Sequence, residues 1–86
     1  MEELPRKPRR QEARPYEAWE QAAKDLIEVE MKERPIGYKE LARMLERMGI
    51  DESPDQINRK VNRQRFSAAF LLACLVAMGV ETISLK

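Results

Sequence analysis

The sequence predicts an all-α fold, a compact bundle of four helices with a polar basic arm before it and a short extended tail after it. Three observations carry this expectation. Apolar residues recur at spacings of three and four over two long stretches, the period of a half-buried helix. The three glycines, at 37, 49 and 79, fall where such stretches begin or end, as helix punctuation does. Ser-Pro-Asp-Gln at 53–56 and a serine at 67 stand just ahead of further helical patterns, where an N-cap is expected. At 86 residues the chain makes one domain. So short a chain buries a modest fraction of its surface, which makes a dimer a reasonable expectation.

In order, Met1–Arg14 is polar, has prolines at 5 and 8, and offers little to bury. We expect a disordered arm there, with residues 15–86 forming the domain. Arg6, Lys7, Arg9 and Arg10 cluster in the arm, and such a segment can lie along phosphates or enter a minor groove. A plain solubilising tail is the competing reading. Pro15 to about Glu33 has Tyr16, Trp19, Ala22, Ala23, Leu26, Ile27 and Met31 on one helical stripe. Trp19, the single tryptophan, is expected in the core.

Arg34-Pro35-Ile36-Gly37 breaks that helix. Tyr38–Met48 follows with Tyr38, Leu41, Ala42, Leu45 and Met48 as its stripe. Gly49 is expected as a left-handed cap, with Ile50 as its apolar contact. Ser53–Arg65 then reads as a helix whose first turn holds a capping box between Ser53 and Gln56 and a proline at the first helical position. Its apolar residues are Ile57 and Val61 alone. At ~100° per residue, Asp55, Gln56, Arg59, Asn62 and Arg63 face away from them. Phe66 is expected to anchor the next turn, and Ser67 to cap a helix over Ala68–Met78. That helix is apolar almost throughout, so it should be central or form half of a homodimer interface. Residues 82–86 alternate polar and apolar as a strand or packing tail would.

Composition excludes several classes of function. The sequence has no histidine and one cysteine, Cys74, in an apolar run. Neither a nucleophile–histidine pair nor an internal disulfide can therefore form, and the thiol is expected to be buried and inert. Neighbouring carboxylates such as Glu28 and Glu30 lie on a charged face, without the pocket that would split their pKa values. We therefore expect no enzyme, no small-molecule substrate, no metal and no cofactor. Leu4–Arg14 lacks the apolar core of a signal peptide. The run 68–80 is also short of the ~20 residues that span a bilayer, so the expected setting is cytoplasmic, without a membrane partner.

Net charge is +1, but its distribution is uneven: +2 over 1–14, −4 over 15–52, +3 over 53–67 and 0 over 68–86. Positive potential gathers on the arm and on the helix 53–65. A thin-seamed helix with an outer face of Arg, Asn and Gln suits a DNA major groove, where Arg pairs with guanine and Asn or Gln with adenine. The expected base-contacting residues are Gln56, Arg59, Asn62 and Arg63. Asn58, Lys60 and Arg65, with Arg6, Lys7, Arg9 and Arg10, are the expected phosphate contacts. RNA is a weaker expectation. It is usually met by exposed aromatics, whereas Tyr16, Tyr38, Phe66 and Phe70 are expected inside.

Helix 38–48, the turn at Gly49 and helix 53–65 together form a candidate helix-turn-helix. The stretches Ile36-Gly37-Tyr38-Lys39-Glu40-Leu41-Ala42-Arg43-Met44-Leu45, Gly49-Ile50, Ile57-Asn58-Arg59-Lys60 and Phe66-Ser67 resemble the lambda-repressor-like (phage Cro/repressor) helix-turn-helix proteins. Residues from about Trp19 to Val80 resemble more closely a small bacterial family known only as a domain of unknown function. Tyr38-Lys39-Glu40-Leu41-Ala42, Asn58-Arg59-Lys60 and Phe66-Ser67-Ala68-Ala69-Phe70-Leu71-Leu72 carry that likeness. The resemblance implies the helix-turn-helix fold and brings no activity with it. In the repressor pattern Ala42 would let the two helices approach, and Leu41, Leu45, Ile50 and Ile57 would fill the apolar positions. The spacings from Ala42 to Gly49 and to Ile57 are longer than that pattern has. The expected function is double-stranded DNA binding, as a transcriptional regulator. The alternative is a protein–protein interaction module on the same scaffold.

Overall fold

Short local signals set where each helix begins and stops. The computed structural model describes residues 15–85. In it α1 spans Glu17–Glu33, α2 Tyr38–Glu46, α3 Pro54–Arg63 and α4 Ala68–Ala77, with no strand among the described residues. The arm expected at 1–14 lies outside them. Ser53 caps α3: its hydroxyl oxygen accepts from the Gln56 N–H at 3.1 Å, and its own N–H donates to Gln56 Oε1 at 2.8 Å. The capping box is therefore closed in both directions. Ser67 starts α4 in the same way, accepting from the Phe70 N–H at 3.0 Å.

The stop after α2 is equally specific. Gly49 has φ +84, a conformation that glycine adopts without the penalty a Cβ brings. Ile50 N–H then donates to Leu45 C=O at 3.0 Å, and Gly49 N–H to Glu46 C=O at 2.9 Å. This is the Schellman arrangement, which satisfies carbonyls the helix leaves open. The same pair of bonds closes α4 through Gly79 and Val80.

Each helix then places an i, i+4 pair in a single core: Ile27 and Met31, Leu41 and Leu45, Ile57 and Val61, Phe70 and Cys74. Leu75 and Met78 complete the buried set among the described residues. Ile50, Phe66 and Ala42 pack against it from partly covered positions. α2 packs on α3 and α4, and α1 on α4 and α3. Burying each large aliphatic side chain contributes about 1.5–3 kcal/mol. Arg34 adds a polar tie, its Nε donating to Met78 C=O at 2.8 Å. That bond places a cation against the C-terminal end of α4, where the helix dipole favours one.

Three expectations are corrected. Trp19 is not in the core but 68% exposed, and Tyr16 is 71% exposed. At 1.5 Å per residue α1 is about 25 Å long and its neighbours about 15 Å, so the first turns of α1 overhang the core. Met48 lies past the end of α2 and is 43% exposed. α3 stops at Arg63 rather than Arg65, because Gln64 takes a left-handed conformation with φ +64. The expectation for α4, a central helix or half of a homodimer interface, is narrowed rather than overturned: in the single chain it is buried on one side, and Leu72 and Val76 are each 60% exposed. The tail through Leu85 forms no strand.

Two predictions follow from these local devices. Ser53→Ala should lower stability by about 1 kcal/mol, read as a lower urea midpoint at an unchanged slope. The second concerns pH. Burial pushes the Cys74 thiol up to about 12 from an ordinary 9.0, with the Glu52 charge adding and the Lys60 charge opposing. Above pH 9 the unfolded chain releases this proton while the folded chain keeps it, so stability falls as pH rises. Burial raises the Tyr38 phenol too, and its sign is the same. Urea titrations from pH 8 to 10.5 should show this decline, and Cys74→Ala should make it shallower.

Candidate nucleic-acid interface

With Ile57 and Val61 fully buried, the remaining side chains of α3 point outward or sideways. Gln56, Asn58, Arg59, Asn62 and Arg63 are all exposed, and Lys60 is half-covered. Arg59 and Arg63 stand at i, i+4, adjacent along one face. Among the described residues neither has an ion-pair partner, whereas Lys24, Arg34 and Arg43 pair with Glu28, Glu30 and Glu40 on their own helices or just beyond. Two guanidiniums free to turn toward a ligand are the strongest chemical feature of this surface.

The other expected readers are tethered. Gln56 gives its carbonyl oxygen to the capping box, so a two-point bond to adenine would require opening that cap. Asn62 donates to Asn58 C=O at 2.9 Å and also to the Asn58 side chain. Its side chain also lies beside the Tyr38 phenol at the start of α2. Burial raises the Tyr38 phenol, the Glu28 charge adds to this, and the Asn62 side chain opposes it. Asn62 thus sits between Asn58 on its own helix and Tyr38 on α2 as well as facing solvent.

Among the expected phosphate contacts, Lys60 turns inward. Its ammonium pairs with Glu52 and lies 5.0 Å from the centre of the Phe70 ring, within cation–π range. Arg65 lies beyond the helix, with Nε 3.5 Å from Glu20 Oε2 of α1. Gln64 beside it donates to Gln21 at 2.6 Å, so this corner is stitched to α1. Arg6, Lys7, Arg9 and Arg10 lie outside the described residues.

The notch between α2 and the start of α3 is lined by Lys39 and Arg43 against Glu46, Asp51 and Glu52. Acidic groups outnumber basic ones there, so positive potential stays on the outer face of α3. Sequence reasoning missed the exposure of Tyr16 and Trp19, which with Phe66 and Arg65 flank a shallow depression at the overhanging end of α1. The signal was available in the unequal helix lengths. No group of three or more histidine, cysteine, aspartate or glutamate residues that could hold a metal occurs among the described residues. No helix there is long and apolar enough to cross a membrane.

This geometry separates structural from available cations. Lys60→Ala should cost about 1 kcal/mol of stability, from its ion pair and its ring contact together. Arg59→Ala and Arg63→Ala should each stay within about 0.5 kcal/mol of the parent. Thermal or urea unfolding of the three variants checks this. Equal losses at all three positions would contradict the assignment.

A family model described as a domain of unknown function, DUF6471, matches residues 19–83. The match takes in α2, α3 and α4 entire and all but the first residues of α1. No curated protein and no solved structure matches the chain. With most of its length inside that match, the chain belongs to the DUF6471 family.

Proposed function

We propose that this protein binds double-stranded DNA through a helix-turn-helix formed by α2 and α3, in the manner of lambda-repressor-like proteins, and acts as a cytoplasmic regulator of transcription. The observation that carries the reading is the pair Arg59 and Arg63, exposed and unpaired among the described residues on a helix that the core holds by Ile57 and Val61. An α-helix fits the major groove, and arginine binds the guanine edge at two points. Arg59 and Arg63 are the primary readers. Gln56 and Asn62 join them only by exchanging their internal bonds for base edges, and Asn58 reaches phosphate under the same condition. Lys60 and Arg65 serve mainly to hold α3 in place, and reach phosphate secondarily. The arm cations Arg6, Lys7, Arg9 and Arg10 add sequence-independent attraction.

The seven residues between α2 and α3 make a longer connection than the repressor turn has. The Schellman stop at Gly49 and the capping box at Ser53 use these residues, so the extra length is ordered. It can change how α3 enters a groove without loosening it. A second reading, a protein-interaction module, draws on the exposed apolar side of α4 and on Trp19.

Fluorescence anisotropy of a labelled random duplex, at several salt concentrations, tests the proposal. Binding should weaken steeply with salt, as counterions released from phosphates require. Arg59→Ala/Arg63→Ala should abolish it. Deleting residues 1–14 should weaken all sequences alike and make the salt dependence shallower. A folded protein that binds no duplex at low salt, or a double variant that binds as the parent does, would overturn the reading.

A further inference from the structure

α4 reads Ala-Ala-Phe-Leu-Leu-Ala-Cys-Leu-Val-Ala, and no charged side chain occurs anywhere from Phe66 to Val80. One side of it supplies Phe70, Cys74 and Leu75 to the core. The opposite side carries Ala69, Leu72 and Val76 at i, i+3 and i+7, all exposed, which form a continuous stripe along a helix. On the α1 side of α4 an apolar groove runs between α1, α4 and the tail, lined by Trp19, Ala22, Leu26, Leu71 and Leu85. Trp19 is 68% and Leu85 76% exposed. Scattered apolar side chains on a surface need no explanation, but a contiguous patch of several hundred Å² marks an interaction site.

We propose that the outer face of α4 and this groove receive a second copy of the same chain, with two α4 helices packed across a two-fold axis. Charge favours this occupant. A two-fold interface sets the same patch against itself, and a charge close to the axis would meet its own image. The patch is made of uncharged side chains, so it is self-complementary without repulsion. Shape agrees, because Ala69 and Ala73 flank Leu72 and let two helices approach closely. Area agrees as well. The chain exposes 6272 Å², and the smaller specific interfaces take about 600 Å² from each partner. Trp19, Leu72, Val76 and Leu85, with the intervening alanines, offer exposed apolar area on the order of 500 Å². The arm, by contrast, has little apolar surface with which to cover the patch: Met1, Leu4 and Ala13.

Among the described residues the core holds ten buried apolar side chains, few for a chain that must stand alone. Pairing α4 with its copy would extend that core across the axis. The outer faces of α3 and α4 point away from the shared core on different helices, so docking through α4 leaves Arg59 and Arg63 open. The proposal is therefore independent of what α3 binds.

Sedimentation equilibrium of the full chain without DNA, from micromolar to submillimolar concentration, tests it. The mass should rise from 10.1 kDa toward twice that value, and the fluorescence of Trp19 should shift to the blue over the same range. Leu72→Glu/Val76→Glu should raise the dissociation constant about tenfold or more, since burying an unpaired carboxylate is costly, while helical circular dichroism is retained. Should that double variant fail to fold, Ala69→Arg at an exposed position carries the test with the same expected loss. A mass of 10.1 kDa at every concentration would overturn the proposal. So would a dimer that persists in every folded variant of this set.

Discussion

The meeting of four i, i+4 pairs in one small core is the constraint on which the rest of this structure depends. α3 has the least to contribute. Ile57 and Val61 are its fully buried side chains, and everything after Pro54 besides them is polar. Such a helix has little hydrophobic hold, so its position must come from elsewhere. The capping box at Ser53, the Lys60 pair with Glu52, the Asn62 contact with Tyr38 and the Gln64 bond to Gln21 supply that hold. They tie α3 to its preceding connection, to α2 and to α1. These same contacts decide which outward side chains remain free. Position and availability are therefore set together, and they leave Arg59 and Arg63 as the chemically available pair.

Much of the fold was legible in the sequence because its determinants are local. Serine caps, a proline at a first helical position, and glycines at helix ends act over four or five residues, and their spacing shows in the chain. The pair Ile57–Val61 was equally plain, since nothing apolar competes with it nearby, and Leu41–Leu45 lay in the middle of the α2 stripe. Other features depend on relative lengths and could not be read from periodicity. Trp19 sits on the apolar stripe of α1, and periodicity marks it as core, but the helices that would cover it are too short to reach it. α4 is apolar all round, which suggests enclosure, yet in a single chain it has neighbours on one side. The end of α3 depended on Gln64 taking a left-handed conformation that glutamine rarely adopts.

The candidate site was partly legible for a related reason. A polar residue's type and its face can be read from spacing, but its hydrogen-bond partner lies elsewhere in the chain. Gln56 was visible both as cap and as reader, and one amide oxygen does not readily serve both. Lys60 was visible as a cation near a basic face. Its turn toward Glu52 and Phe70 required knowing that the α2–α3 connection and α4 converge there. The pattern of side chains left free of internal bonds is narrower than the sequence suggested, with two arginines standing where seven polar residues were expected.

The most direct test of the central claim is a ¹H–¹⁵N correlation spectrum of the folded chain titrated with a short DNA duplex at low salt. The account predicts that perturbations concentrate on residues 55–63 and on the Arg59 and Arg63 side chains, with the amides of α4 little changed. Perturbations confined to α4 and the Trp19 overhang, or a spectrum unchanged at saturating duplex, would contradict the assignment of α3 as the nucleic-acid surface.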